Sequence, residues 1–324
     1  MLNPASARLY AARWAVLSRE EKSASSLALS RALLLHLPLW LPRLVLSVFC
    51  ALLCPHLEAR EITDGNVNYS FVVTDRRTGK KLFLKQAEAF LKWQPQLALE
   101  RDRMRREVQY FRDVAAALGE QDAARFLPRI HHFDRANTTV VMEYLDGHEV
   151  AFDTLFSRGR VSKEAAVGLG EFMGKSHART LDRGEPEAQA RAVEYWNASL
   201  RAIQLEHVYS VCFAESARGR ALGRDKAVMA EVELLKAKYL GYSFDALDRC
   251  ALCHGDFHPG GVMMRSGSVK VIDPEFTVFA PPGLDAGSLM SGFVLAHLYH
   301  TQRGLPEAEA GGRAGAEAGA GAGA

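Results

Sequence analysis

The chain has 324 residues, with 40 lysines and arginines against 38 aspartates and glutamates, so at a net charge of +2 no general field draws it onto nucleic acid or a membrane surface. At 48% hydrophobic residues it can bury a sizeable core in one large or two smaller domains. Five cysteines, few and odd in number, argue against a disulfide framework and for a reducing, cytoplasmic compartment.

Residues 1–57 stand apart from the rest. The stretch 32–57 (ALLLHLPLWLPRLVLSVFCALLCPHL) is strongly apolar, but Pro38, Pro42, Arg43 and Pro55 interrupt it, and the unbroken run 44–54 is short for a bilayer span. It is compatible with a signal-anchor, with a targeting peptide (Arg, Ser and Ala dominate 1–31) or with a helix packed on the domain, and a membrane role is the lesser expectation. From Glu61 a clear pattern begins. Residues 62–74 and 80–87 alternate apolar and polar side chains around Arg76-Arg77-Thr78-Gly79, a β-hairpin signal. Residues 98–118 predict an amphipathic helix with Met104, Val108, Phe111, Val114 and Leu118 on one face. Short strands follow around 129–133 and 138–145. Beyond Gly147 the pattern turns helical, over 163–180 with Ser162 as N-cap, then 187–201 and 227–240. Strands return near Cys250, divided by His254-Gly255-Asp256-Phe257-His258-Pro259-Gly260-Gly261, and end at 269–273. Residues 305–324 are Gly/Ala-rich, cannot build a core, and are expected to be disordered. The expected organisation is therefore α+β and bilobal, like a protein kinase. A small β-rich N-lobe spans 58–145 and a larger, mainly helical C-lobe spans 146–304.

Phosphoryl transfer needs a cradle for phosphates, carboxylates for a divalent cation, and a base that orients the attacking hydroxyl. Each has a candidate. Asp256, in a loop where Gly255, Pro259 and Gly260 favour a tight turn, is the candidate base. Asp273 and Glu275, two residues apart after a strand, can face one Mg²⁺. Lys85, a cation inside the apolar strand LFLKQA, suits contact with ATP phosphates, with Glu107 on the following helix as its ion-pair partner and Glu100 as the alternative. Asp64, Gly65, Asn66, Val67 and Asn68 would form the nucleotide lid, with Asp64, Gly65 and Asn66 as its nucleotide contacts. Met142, Glu143 and Tyr144 would form the hinge against which adenine leans. Cys250-Ala251-Leu252-Cys253-His254 fits a haem-attachment pattern, but the alternating segment reads better as a buried strand that delivers His254, and no second C-x-x-C completes a zinc site.

With HGDFHPG at 254–260 followed by VKVID at 269–273, the chain resembles the aminoglycoside phosphotransferase group of kinases. Within it, the chain resembles the methylthioribose kinase family, through EITDGNVNYSF (61–71), LFLKQA (82–87), EFMGKSHART (171–180) and above all DPEFTVFAPPGLDAGS (273–288). The resemblance implies ATP-dependent phosphorylation of the 1-hydroxyl of 5-methylthioribose, a small-molecule sugar substrate, in methionine salvage. It implies Asp256 as base, Asp273 and Glu275 as Mg²⁺ ligands, Lys85 as phosphate contact, and Asp285 as a carboxylate tying the catalytic loop to a core helix. Two features depart from the family pattern. Gly261 supplies no ligand where kinases commonly place a metal-binding Asn, and the family's further C-terminal helices, with an arginine pair for the sugar, have no counterpart. Apolar surface around Phe293, Leu295 and Leu298 is then expected, covered by a partner subunit in a homodimer or left by a shortened or decayed chain. Kinases of other small alcohols (an aminoglycoside, choline, homoserine, hydroxylysine) and a nucleotide-binding pseudokinase are the alternative readings.

Overall fold

Short apolar runs in the first half make a five-stranded antiparallel sheet, buried continuously along much of β2, β3 and β5. The computed structural model describes residues 56–63, 67–159, 162–182, 187–241 and 249–303, so the apolar N-terminal stretch, the lid residues Asp64, Gly65 and Asn66, and the Gly/Ala tail lie outside the described residues. The strands β1 (Leu57–Ile62), β2 (Tyr69–Asp75), β3 (Lys81–Gln86), β4 (Ile130–Asp134) and β5 (Thr139–Glu143) run in the order β1-β2-β3-β5-β4. The 62–74 arm of the hairpin is thus two strands, because the chain reverses after Ile62 and β1 pairs along β2 from Leu57↔Asp75 to Ile62↔Ser70. The β2–β3 turn closes on Gly79, whose φ of 70° few other residues adopt without strain and whose N–H donates to Asp75 O at 2.8 Å.

One sheet face buries Leu57, Ala59, Phe71, Val73, Leu84 and Val141 together. The other packs Ala87, Val140 and Met142 against Met104 and Val108 of α1 (Arg103–Leu118). This helix begins five residues later than the amphipathic pattern suggests. Backbone bonds claim the preceding segment: Leu91 N–H donates to Leu97 O and Leu99 N–H to Ala89 O, an extended pairing that a helix from 98 would break. The C-terminal part of α1 (Phe111, Val114, Leu118) enters the main core with Phe126 of α2 (Glu120–Phe126), Leu169, Phe172, Leu252, Phe257 and Leu289. One helix therefore packs on both halves of the molecule.

The second half is mainly helical. It contains α3 (Ala151–Arg158), α4 (Lys163–Thr180), α5 (Ala188–Tyr195), α6 (Ala198–Glu206), a π-helical turn His207–Val211, the short α7 (Cys212–Ala214) and α8 (Ala217–Leu222), α9 (Lys226–Gly241) and α10 (Gly283–Gln302). Ser162 caps α4 as expected, its Oγ accepting from Ala165 N–H at 3.1 Å. The single helix expected over 187–201 is two, because Asn197 takes an extended backbone and caps α6 by accepting from Leu200 N–H. Small antiparallel sheets carry the loops between: β6 (Glu149–Val150) with β8 (Val262–Arg265) and β9 (Ser268–Val271), and β7 (Ala251–Cys253) with β10 (Val278–Ala280). Cys250 and Cys253 are both buried, which fits the strand reading.

Helix α10 has no charged side chain after Asp285 except histidines. Met290, Val294, Leu295 and Leu298 are exposed on it, whereas Phe293, expected on that surface, packs against the main core. No described helix is long and apolar enough to cross a membrane. Gly292 of α10 lies against the Pro259 ring of the HGDFHPGG loop, where an added Cβ would overlap Cγ and Cδ, while Gly287 on the same helix has open space. Gly292→Ala should therefore cost about 1–3 kcal/mol by overpacking, and Gly287→Ala should be neutral or stabilising by up to about 1 kcal/mol. Urea titrations of the two variants giving equal midpoints would contradict this packing.

Candidate active site

Lys85 lies on the middle strand of the sheet, opposite Ser70 on β2 and Val140 on β5, and only 6% exposed. A buried ammonium requires partners. Its Nζ donates to Glu107 Oε2 and Oε1 at 2.8 and 3.0 Å, and it also bonds Asp273 Oδ1. Burial pulls the lysine towards neutrality, but Asp273, Glu107 and Glu275 together outweigh it and hold the ammonium above the ordinary lysine range. Glu107 sits one turn beyond Arg103 on α1, which aims both at the sheet. The alternative, Glu100, pairs with Arg106 at 3.1 Å instead.

Asp273 follows β9 in a left-handed conformation, φ 64°, which is costly for a residue with a side chain and sets its carboxylate towards Lys85. Crowding by protein atoms opposes its ionisation; Lys85 prevails and keeps the carboxyl below its ordinary value. Glu275, 5% exposed, accepts from Asn68 Nδ2, and Asn68 Oδ1 accepts from Arg103 Nε at 3.0 Å. Burial, partly offset by Lys85, pushes the Glu275 carboxyl up to about 8. Ligand oxygens of Glu107, Asp273 and Glu275 lie within 4.8 Å of one another. Three hard oxygen donors suit Mg²⁺. With Glu107 engaged by Lys85, Asp273 and Glu275 are the residues that would hold it.

Asp256 stands in the loop between β7 and β8, its side chain 43% exposed. Burial raises its carboxyl, His258 and His254 lower it, and Asp273 is near enough to raise it again. The loop is fixed through its backbone. Asp285 accepts His254 N–H at 2.7 Å and Gly255 N–H at 2.9 Å, and is itself bonded by His177 Nε2 at 3.0 Å. His254 Nε2 contacts Ile272 O at 2.8 Å, joining the loop to the residue before Asp273. Gly255, at φ 85°, has no room for a Cβ because Phe276 O occupies that position. Gly261 lies in a 3₁₀ turn at Pro259–Gly261, and a Cβ there would meet His254 and Ile272 at ordinary contact distance, so the position can accept a small side chain.

At the end of β5, Met142 is buried against α1, Glu143 N–H donates to Arg129 O, and the Tyr144 ring lies 5.1 Å from Lys81 Nζ. These residues form the connection between the halves. Beside Asp256 a cleft of about 420 Å³ is lined by Val67, Leu91, Trp93, Ile203, Gln204 and Phe276, with His207 and Val208 at its edge. Apart from Val67, which the sequence places in the expected lid, none of these cleft residues stands out in sequence, although Gln204 and Arg201 mark a polar interruption of the apolar positions Leu200 and Ile203 on α6.

The sequence pattern of the phosphotransferase enzyme family (APH) matches residues 58–322, and the chain belongs to that family. The methylthioribose kinase of Geobacillus kaustophilus (strain HTA426) is 28% identical over 263 residues, 76% of this chain and 62% of its own length. That of Bacillus pumilus (strain SAFR-032) is 29% identical over 258 residues, 74% and 61%. The chain thus spans about three fifths of the length of these curated relatives. Among solved structures, a choline kinase from Cryptosporidium parvum Iowa II is 17% identical at a TM-score of 0.40 over 74% of this chain and 64% of that one, a likeness too loose to bear on activity.

The raised Glu275 carboxyl gives a test of the metal assignment. Its folded value of about 8 lies above the ordinary 4.5, so the folded state holds an extra proton between those limits. Its contribution to stability is full below about 4.5 and lost as pH rises through about 8. A divalent cation needs the carboxylate, so Mg²⁺ binding should strengthen with pH up to about 8, with proton release. Calorimetry at pH 7 in buffers of different ionisation enthalpy should detect that release, and Glu275→Gln should remove it while leaving the metal-free melting temperature near wild type. Equal proton release in the variant would discard Glu275 as a ligand.

Proposed function

We propose that this chain carries the ATP-dependent kinase machinery for a sugar hydroxyl, with 5-methylthioribose as the acceptor and its 1-phosphate as the product. The carrying observation is the meeting of Lys85, Glu107, Asp273 and Glu275 in one cluster, with Asp256 near enough to Asp273 for the two carboxylates to act on each other.

On this reading Lys85 contacts the donor phosphates when Asp273 turns to the metal, and Glu107 holds the ammonium in place meanwhile. Mg²⁺, when bound through Asp273 and Glu275, would neutralise phosphate charge. Asp256 accepts a hydrogen bond from the attacking hydroxyl and takes its proton as the phosphoryl group transfers. Met142, Glu143 and Tyr144 border the adenine site, and Asp64, Gly65 and Asn66 cover the phosphates. The cleft beside Asp256 supports the acceptor assignment by its composition. Gln204, His207 and Asp256 offer hydrogen bonds for a polyol, and Leu91, Trp93, Ile203 and Phe276 offer an apolar wall for a thioether substituent. An acceptor with several ammonium groups finds fewer partners there.

Incubation of the purified protein with methylthioribose, ATP and Mg²⁺ should yield the 1-phosphate by mass spectrometry. Asp256→Asn should lower kcat by about 10²–10⁴-fold with nucleotide affinity nearly unchanged, and Lys85→Met should chiefly raise the KM for ATP. Undiminished turnover in Asp256→Asn would remove it as the base. Phosphorylation of choline or an aminoglycoside in preference to methylthioribose would overturn the acceptor.

A further inference from the structure

Arg201 on α6 is 2% exposed, and its charge lies in the interior. Its Nη2 donates to Phe276 O, the carbonyl next after Glu275, while Nε and Nη1 are buried without an acceptor. The Tyr239 and Phe276 rings flank the guanidinium at 5.7 and 5.9 Å. One turn along α6, Gln204 Nε2 donates to Gly255 O, the carbonyl just before Asp256, at 2.7 Å, and Gln204 Oε1 accepts from Tyr239 OH. One face of α6 thus holds the two carbonyls beside the reactive carboxylates, at the point where Gly255 and Phe276 O already touch.

A single carbonyl does not require a full positive charge. Burying an incompletely paired guanidinium costs several kcal/mol after relaxation, and a neutral donor would serve Phe276 O. Burial pulls the guanidinium below its ordinary value; Tyr239 opposes that from beside it, and so do the carboxylates of Asp256 and Asp285. Around Asp256 the other groups are His254 and His258 on its own loop, Asp273 on the segment after β9, and His207 across the cleft. Arg201 is the one of these that carries a permanent positive charge.

We propose that Arg201 is a positioning residue for phosphoryl transfer, which fixes the 273–276 segment against the Asp256 loop and supplies a permanent cation facing the base. The catalytic part of this proposal rests on the kinase reading above; the placement of the charge does not.

The test uses the full chain and two variants, Arg201→Met, of similar length without charge, and Arg201→Lys, which keeps the charge but loses the planar fork. In Arg201→Met we expect the melting temperature to stay within a few degrees of wild type, the KM for ATP to change less than about twofold, and kcat to fall about 10- to 100-fold. The acid limb of the kcat–pH profile should move up by roughly one pH unit. The Asp256 carboxyl, followed by ¹³C NMR of aspartate-labelled protein and assigned with Asp256→Asn, should move by the same amount without any acceptor present. Arg201→Lys should leave that titration in place and recover part of kcat, and it carries the test alone if Arg201→Met does not fold. Wild-type kcat in Arg201→Met, or an unmoved Asp256 titration, overturns the proposal, as does an Arg201→Lys titration displaced like that of the methionine variant. If wild-type protein phosphorylates no acceptor while the titration still moves in Arg201→Met, the kinase reading falls and the placement of the cation stands.

Discussion

The ammonium of Lys85 joins three parts of the chain that are far apart in sequence: β3, α1 and the segment after β9. A cation in the interior is tolerated only with carboxylates around it, and Glu107 and Asp273 come from opposite halves of the molecule. The charges also explain Glu275. Lys85 and Arg103 bring two positive charges to Glu107, Asp273 and Glu275, so with three carboxylates ionised the cluster would be net negative in a desolvated place. Protonation of Glu275 removes that excess in the metal-free protein, and a bound divalent cation would reverse the balance. The same cluster thus stabilises the closed arrangement of the halves and leaves a place that favours added positive charge.

Asp285 does for the Asp256 loop what Glu107 does for Lys85. Its two oxygens accept the consecutive N–H groups of His254 and Gly255, and His177 supports it from α4. The loop cannot then turn without breaking buried hydrogen bonds, each of which would leave a polar group unpaired. Backbone contact between Gly255 and Phe276, with Thr277 Oγ1 donating to Cys253 O at 2.9 Å, extends the constraint to the 273–277 segment. Asp256 is consequently presented on rigid backbone while its own carboxylate remains partly open to the cleft.

The cleft beside Asp256 is built differently. Its walls come from the Leu91–Trp93 segment, α6 and the π-helical turn after it, elements joined by side-chain packing rather than by a buried ion network. A π-helical turn relaxes the regular backbone bonding and is frequently placed at functional sites. The belt of exposed apolar residues on α10, Met290 to Leu298, lies on the helix that carries Asp285 but on surface outside the cleft.

The residues that meet around Lys85 were candidates already in sequence, for a physical reason. A base, a metal pair and a phosphate-binding lysine need particular residue types at short fixed spacings, so HGDFHPGG, the DPE segment and the lysine inside LFLKQA are local signals. Glu107 followed from helix periodicity, and Ser162 from N-cap chemistry. Other features depended on how distant segments pack. Asn68 meets Glu275 across 207 residues, Arg201 meets Phe276 across 75, and Gln204 meets Gly255 across 51. No period or spacing encodes such pairs, because the identity of a polar residue on a helix does not say which backbone carbonyl its face will reach. The break at Asn197 was hidden because both sides read as helix, and only the orientation of α6 required by the core made it visible. Sequence by itself determined which residue types and spacings suit phosphoryl transfer; tertiary structure decided that Lys85, Glu107, Asp273 and Glu275 meet in one cluster and what fixes the Asp256 loop, because those contacts join segments far apart in the chain.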